Sequence, residues 1–266
     1  MNKTKIEWAD STWNPVSGCY HDCPYCYARK TAARFAGCDM APDGKTKEKV
    51  IALPNRLKVT TKGGVTHNAA YPFGFIPTLH EYRLNDPMTK GLGKTIFVCS
   101  MADLFGDWVP DEWIEKVFDA CKAAPGHRYL FLTKNPFRYL RLAQAGKLPK
   151  GDAFWYGSTT TDPHTEAFWA DGYNTFVSIE PLLARFGAPD GSGTSVRADW
   201  AIIGAETGNR KDKVTPKREW VEELVSAFHS AGKPVFMKDS LIEIVGEAGM
   251  LRELPWSVSE NGGRDE

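Results

Sequence analysis

The chain has 266 residues, 42% of them hydrophobic and 25% charged, enough to bury one large α/β domain or two smaller ones. Lys plus Arg and Asp plus Glu both number 33, so zero net charge excludes a global pull toward nucleic acid or an anionic membrane. The chain lacks the long apolar run of a membrane span, and its first residues lack the apolar stretch of a signal peptide. We therefore expect a cytoplasmic protein with reduced thiols and no membrane contact.

The first distinctive element is the loop 18–28, where Cys19, Cys23 and Cys26 have C-x-x-x-C-x-x-C spacing. Clustered cysteines in a reducing compartment are typical of metal ligands. Three thiolates on one loop can ligate three irons of a 4Fe–4S cluster and leave the fourth iron open to a small molecule. A zinc site with His21 as the fourth ligand is the alternative.

Residues 39–94 are rich in Gly, Pro, Lys and Thr with weak periodicity, which predicts an irregular insertion or lid after the first helix. Its basic residues predict phosphate contacts, with a solvated charged loop as the alternative. These residues are Lys45, Lys47, Lys49, Arg56, Lys58 and Lys62. The aromatic residues Tyr71, Phe73 and Phe75 are candidates for stacking on bases or for attaching the segment to the domain.

From Thr95 onward, short apolar runs alternate with helical patterns, which predicts buried parallel strands. The runs are 95–99, 129–133, 154–157, 175–179, 200–204 and 234–237. Apolar stripes predict helices over 113–121 and 220–228, and proline pairs predict helix starts at Asn135-Pro136, Asp162-Pro163 and Thr215-Pro216. The pattern favours an α/β fold, a partial (β/α) barrel of about six parallel strands, with an open doubly wound sheet as the alternative.

Polar residues follow nearly every predicted strand. In parallel α/β folds the carboxyl ends of the strands form the active face, so the set predicts a site there, although any one residue can simply end a strand. The set comprises Ser100, Asp103, Thr133, Lys134, Ser158, Thr160, Glu180, Glu206, Lys238 and Asp239. Cys99 and Cys121 lie in apolar patterns that predict core packing, and Cys38 is expected to be incidental.

The segment Cys-Pro-Tyr-Cys-Tyr-Ala at 23–28, with Tyr25 before the third cysteine, resembles the signature loop of the radical S-adenosylmethionine superfamily. Residues 8–19 also resemble a poorly characterised branch often found in bacteriophages and prophages. The resemblance implies a full or partial barrel that binds a 4Fe–4S cluster and S-adenosylmethionine. A flavodoxin- or ferredoxin-type donor would reduce the cluster, and the resulting 5′-deoxyadenosyl radical would abstract hydrogen from a substrate.

The resemblance implies further site residues. Ser100 and Asp103 match loosely a segment that holds the methionine amino group, although the two glycines typical of that segment are absent. The other implied cofactor contacts are Tyr25, Lys134, Ser158 and Thr160, and the implied catalytic residues are Glu180, Glu206 and Lys238.

The phage resemblance and the basic run favour a nucleobase in phage DNA, or a nucleotide, as the substrate, in the host cytoplasm if the chain is phage-encoded. A radical enzyme acting on a small metabolite or peptide is one alternative. A non-catalytic zinc or iron–sulfur protein is another. Residues 1–240 are expected to form the barrel with its insertion, and residues 241–266 a C-terminal extension.

Overall fold

The structure, a computed structural model, describes residues 1–35, 50–60, 63–89, 91–187 and 196–256. The chain divides into two compact units, an N-terminal unit, Met1–Pro149, and a C-terminal unit, Lys150–Glu266. Both units combine helices with strands, and the larger sheet of each unit is mostly parallel, so the predicted α/β class is confirmed. The predicted boundary near residue 240 stays a prediction. Cys38 and the basic residues Lys45, Lys47, Lys49 and Lys62 lie outside the described residues.

The main sheet of the N-terminal unit places β2 and β9 on either side of β8, all parallel, with β1 antiparallel at the edge. The strands of this unit are β1 (Asn2–Lys3), β2 (Ser11–Trp13), β3 (Val16–Ser17), β4 (Ile51–Leu53), β5 (Lys58–Thr60), β6 (Thr66–Asn68), β7 (Thr78–His80), β8 (Thr95–Val98) and β9 (Arg128–Thr133). Its helices are α1 (Tyr27–Phe35), α2 (Asp111–Ala123) and α3 (Pro136–Gln144). The apolar stripe of α2 is buried, as its spacing predicts, and Phe118 contacts Phe131 of β9.

The segment expected to be irregular contains small sheets. β3 and β4 flank β7, and β5 and β6 form a separate antiparallel pair. These strands have only two or three residues each, too few for alternating hydrophobicity to stand out from the surrounding Gly and Pro residues. The described part of this segment therefore contains some regular structure, and its role as an insertion or lid stays a prediction.

The strands of the C-terminal unit are all parallel and are neighbours in chain order. They are β10 (Phe154–Thr159), β11 (Asn174–Ile179), β12 (Ala201–Ile203) and β13 (Val235–Met237), and the helices are α4 (Arg218–Ser230) and α5 (Ile242–Val245). Val221, Leu224 and Phe228 of α4 pack against one face of the sheet, within a buried cluster that includes Ile179 and Ile203. Successive strand residues point to opposite faces, so Ser178 and Ile202 belong to the face away from α4.

Most, but not all, of the strands and helices predicted from Thr95 onward are confirmed. All six predicted strands and the two striped helices are confirmed, and α3 begins at Pro136 as predicted. The helix predicted at Asp162 is wrong, because Asp162 instead accepts a hydrogen bond from the His164 N–H at 2.9 Å in a turn. The helix predicted from Thr215 begins only at Arg218. Cys99 and Cys121 are buried, which confirms their core placement.

Within the part of the chain that the structure describes, no helix is both long and apolar enough to cross a membrane.

Candidate functional site

The cysteine loop of the N-terminal unit lies between β3 and α1. Cys19 N–H donates to the Phe75 carbonyl at 3.2 Å, which ties the start of the loop to the segment before β7. At the other end, Cys26 N–H donates to the Cys23 carbonyl at 3.1 Å, one residue before α1 begins. Backbone hydrogen bonds therefore fix both ends of the segment that carries the three thiols.

Two of the thiol sulfurs accept hydrogen bonds from the backbone. The His21 N–H donates to Cys19 Sγ at 3.5 Å, and the Arg29 N–H donates to Cys26 Sγ at 3.4 Å. Hydrogen bonds to cysteine sulfur stabilise thiolates and tune the potential of iron–sulfur clusters. All three cysteines are partly exposed, so a ligand can reach them from solvent.

The pKa of the Cys19 thiol is raised to about 12, chiefly by burial and also by the nearby Asp103, Cys23 and Cys26. Burial also raises the pKa of Cys23, where the Lys134 ammonium acts in the opposite direction. The three thiols therefore lie within electrostatic reach of one another. The raised pKa values of Cys19 and Cys23 favour their protonated forms in the free protein, and a metal must displace those protons on binding.

Asp103 is a buried hydrogen-bonding centre beside the loop, only 5% exposed. His21 Nε2 lies 2.7 Å from its carboxylate, which also accepts the Thr133 hydroxyl at 2.7 Å. The backbone N–H groups of Phe105 and Lys134 donate to it at 3.0 and 2.9 Å. The structure thus gives Asp103 a role that the sequence does not indicate, which is to connect the cysteine loop to the ends of β8 and β9.

The other predicted cofactor residues of this unit lie around the same loop. Lys134 Nζ donates to Tyr25 Oη at 3.2 Å and lies 5.4 Å from the centre of the tyrosine ring. The Ser100 hydroxyl donates to Asn14 Oδ1 at 3.2 Å, and the Ser100 carbonyl accepts the Tyr27 hydroxyl at 2.6 Å. Tyr25, Ser100, Asp103 and Lys134 are therefore all gathered near the thiols.

Among the described residues, no three His, Cys, Asp or Glu side chains are close enough together to hold a metal ion. The three thiols share one loop and one electrostatic environment without forming a closed cage. Their assignment as metal ligands stays a prediction.

The C-terminal unit carries a second polar group at the carboxyl ends of its strands. One residue beyond the last paired row of β11, β12 and β13 come Glu180, Gly204 and Lys238. Lys238 Nζ donates to Glu180 Oε1 at 2.5 Å, and 20% and 27% of the two side chains are exposed. A Cβ on Gly204 would lie 3.2 Å from Glu180 Cγ and 3.3 Å from Lys238 Cδ. Glycine on the middle strand therefore lets the ion pair span the sheet.

The other predicted residues of this unit are placed differently. Ser158 is aligned with Val177, on the face that packs against α4, and its hydroxyl accepts the Phe168 N–H at 2.9 Å. Thr160 lies two residues further on the same side, fully buried, and its hydroxyl has no hydrogen-bond partner among the described residues. Glu206 binds Arg210 through both carboxylate oxygens, at 2.7 and 2.8 Å. Neither Ser158 nor Thr160 shares the face of the Glu180–Lys238 pair.

A family model described as "Protein of unknown function (DUF5131)" matches residues 3–241. The chain belongs to this family. No curated protein and no solved structure matches the chain significantly. The family match therefore includes every strand from β2 to β13, and it assigns no activity to either polar group.

Sequence reasoning missed several residues that shape these sites in this DUF5131 protein. Asn14 accepts hydrogen bonds from both the Ser100 hydroxyl and the Met101 N–H. Trp108 lies edge-on to His21, with ring centres 4.9 Å apart, and its buried indole N–H has no partner among the described residues. Asn14 is separated from its partners by more than 80 residues, so no local pattern marks it. Trp108 lies in the loop after β8, and a single tryptophan in a loop carries no sequence pattern that indicates a site.

Gly18, directly before the first cysteine, can be tested by substitution. Its φ is +89°, and an added Cβ would lie 2.3 Å from the Ile76 carbonyl oxygen. We expect Gly18→Ala to lower the free energy of unfolding by about 2–4 kcal/mol, because both backbone strain and a backbone clash oppose the methyl group. Gly146→Ala is the matched control, since Gly146 has φ +67° but nothing within 4 Å of its Cβ position. If urea unfolding shows the same loss of unfolding free energy for both variants, the backbone clash at Gly18 is ruled out.

His80 of β7 predicts a pH dependence of stability. It is fully buried, and its ring contacts the Ser17 hydroxyl at 2.8 Å and the Tyr82 hydroxyl at 3.1 Å. Burial lowers the pKa of His80 to about 3, from an ordinary value of about 6.5. Between these values the unfolded chain binds the proton and the folded chain does not, so stability falls as pH decreases.

We expect His80→Gln, which keeps a donor and an acceptor, to flatten this acid limb by up to about 1.4 kcal/mol per pH unit. Urea unfolding of both proteins between pH 4 and 6.5, roughly the window between the two pKa values, measures the difference. Parallel slopes for the two proteins would contradict the buried neutral histidine.

Proposed function

We propose that this protein is a radical S-adenosylmethionine enzyme whose 4Fe–4S cluster is held by Cys19, Cys23 and Cys26. The observation that carries the proposal is the placement of three partly exposed thiols on one short loop, each within electrostatic reach of the others. The cofactor is S-adenosylmethionine. The substrate class proposed is a nucleobase in DNA, or a nucleotide.

The donor types match such a cluster, and the three side chains would have to draw closer together to hold it. Three thiols can ligate three irons, and His21, which separates two of the cysteines, is turned toward Asp103. Backbone N–H groups already point at two of the sulfurs, as expected around iron–sulfur thiolates. Of the other two cysteines that the structure describes, Cys99 and Cys121, both are buried in the core and neither belongs to the loop.

When bound, the cluster would supply the electron that cleaves S-adenosylmethionine to a 5′-deoxyadenosyl radical. The residues around the cysteine loop would position S-adenosylmethionine. Asp103 holds His21 and the backbone of Lys134 in place, and Lys134 brings a positive charge close to Cys23. Tyr25 is anchored by Lys134, so its ring would cover one side of the loop. These residues would orient the cofactor and limit access of water.

In the C-terminal unit, the Glu180–Lys238 pair is proposed to contact the substrate. It combines an acceptor and a donor in one partly exposed pair at the carboxyl ends of parallel strands, where α/β proteins commonly bind ligands. Glu206 is given a supporting role, because both its oxygens are used by Arg210.

The finer fold assignment, a partial (β/α) barrel of about six parallel strands, belongs to the same proposal. Parallel pairing of strands that follow one another in the chain, β8 with β9 and β10 through β13, supports it. The cytoplasmic location and a flavodoxin- or ferredoxin-type electron donor are also proposed, because the cluster has to be reduced by a partner.

The test is anaerobic reconstitution with iron and sulfide, followed by S-adenosylmethionine and dithionite. The proposal predicts formation of 5′-deoxyadenosine by the reconstituted protein and none by protein treated with a chelator. Protein that contains a reduced cluster but forms no 5′-deoxyadenosine would reject it.

One observation favours a second candidate, a zinc site without catalysis. Metal-bound histidines often donate their other ring nitrogen to a carboxylate, and His21 lies 2.7 Å from Asp103. Zinc would use the three thiolates and the remaining ring nitrogen of His21. Metal analysis separates the candidates, because stoichiometric zinc without sulfide supports the second and iron with sulfide supports the first.

A further inference from the structure

The loop between β12 and α4 is the most basic exposed segment of the C-terminal unit that the structure describes. Residues 207–218 contain one acidic residue, Asp212, and five basic ones. The basic residues are Arg210, Lys211, Lys213, Lys217 and Arg218. On a chain with zero net charge, such a local excess is needed for any attraction to a polyanion.

An internal ion pair shapes this loop. The Glu206 side chain is only 2% exposed and accepts two hydrogen bonds from Arg210. The Arg210 guanidinium lowers the pKa of Glu206, and the backbone N–H of Val214 contributes in the same direction. The loop therefore closes around a buried carboxylate, which fixes its course before any ligand binds.

The pair also decides which charges face outward. Arg210 is neutralised by Glu206, and Arg218 binds Glu222 at 2.7 Å. Lys211, Lys213 and Lys217 are exposed and have no ion pair among the described residues. Three free ammonium groups thus stand on a preorganised loop.

The loop starts beside the proposed substrate contact. Its first residues follow Gly204, where an added Cβ would lie 3.2 Å from Glu180 Cγ and 3.3 Å from Lys238 Cδ. The Ala205 N–H donates to the Ser240 hydroxyl at 2.9 Å, which holds the beginning of the loop against the end of β13. A phosphate chain held by the loop would therefore lie next to the Glu180–Lys238 pair.

We propose that Lys211, Lys213 and Lys217 bind the phosphate backbone of a single-stranded nucleic acid. The idea that the bound nucleic acid is the substrate rests on the proposed function, whereas the binding of phosphates by these lysines does not. A single strand is chosen because a base must leave the stack for its edge to reach a protein side-chain pair. The inference moves the phosphate contacts away from the basic run predicted within residues 39–94.

The test compares Lys211→Glu/Lys213→Glu with Lys3→Glu/Lys5→Glu. Each variant replaces two exposed lysines, so both lower the formal net charge equally. Binding of the reconstituted proteins to a fluorescent single-stranded oligonucleotide is measured by anisotropy across a series of salt concentrations. The loss of two phosphate contacts makes the negative slope of log K against log salt shallower by about 1.4. Affinity at low salt falls at least about tenfold. The control keeps the wild-type slope.

Three results would overturn the inference. The first is that the wild-type protein fails to bind the oligonucleotide at low salt. The second is that both variants lose affinity equally, and the third is that a poly-glutamate peptide competes as well as the oligonucleotide. Formation of 5′-deoxyadenosine is assayed separately on the wild type. Lysine-dependent binding without 5′-deoxyadenosine rejects the proposed function alone, and 5′-deoxyadenosine without lysine-dependent binding rejects this inference alone.

Discussion

Replacing Cys23 with serine is expected to remove bound iron and sulfide and to reduce 5′-deoxyadenosine formation at least about 100-fold, more than the loss of an outer-shell partner causes. A serine hydroxyl does not ionise near neutral pH, so it cannot replace a thiolate ligand. Losing one of three protein ligands also exposes a second iron. Iron and sulfide assays on the anaerobically reconstituted protein give the first readout, and chromatography of the nucleoside gives the second.

Cys121→Ala is the matched control for this experiment. Cys121 is fully buried on α2, in the same unit but away from the cysteine loop. Its loss is expected to lower stability by about 1 kcal/mol and to leave iron binding intact. If both variants retain iron equally, Cys23 is not a ligand and the proposed cluster is wrong.

The Asp103→Ala substitution is expected to lower the free energy of unfolding by about 3–5 kcal/mol. The carboxylate accepts hydrogen bonds from Thr133, Phe105 and Lys134 and contacts His21, and it is nearly inaccessible to water. Its removal would leave several buried donors without an acceptor, and each costs free energy. Urea unfolding monitored by tryptophan fluorescence measures the loss.

Asp107→Ala provides the comparison. Asp107 pairs with Arg141 at 3.0 Å, but 75% of its side chain is exposed. The Arg141 guanidinium lowers the pKa of Asp107, yet solvent screens this exposed pair, and we expect a loss of no more than about 1 kcal/mol. Similar losses for the two variants would contradict the structural role of Asp103.

The fold from Thr95 onward is largely predictable because its strands are buried on both faces and read as continuous apolar runs. Because both faces of these strands are apolar, the sequence does not show on which face of the sheet a given residue lies. The sequence predicts Ser158 and Thr160 as site residues at a strand end, but the register with β11 places them on the α4 side. Thr159, aligned with Ser178, lies on the face of the Glu180–Lys238 pair. A one-residue shift changes the face, and no apolar–polar alternation in the sequence reveals it.

The cysteine loop was predictable because its spacing is local. Its supports were not, since Asp103 lies 82 residues from His21 and 30 from Thr133 along the chain. The sequence marked Asp103 only as a loose cofactor match. The sequence likewise suggests a catalytic role for Glu206 but does not reveal its partner Arg210, which lies four residues away in a loop without a regular pattern. Contacts between residues that only the tertiary structure brings together cannot be predicted from the spacing of residues in the sequence.

The most direct test of the central claim is electron paramagnetic resonance of the dithionite-reduced protein, recorded before and after addition of S-adenosylmethionine. A cluster on Cys19, Cys23 and Cys26 with one open iron predicts a reduced iron–sulfur signal that changes when the ligand binds. A signal that stays unchanged, or reconstituted protein that holds zinc and gives no signal, would contradict the account.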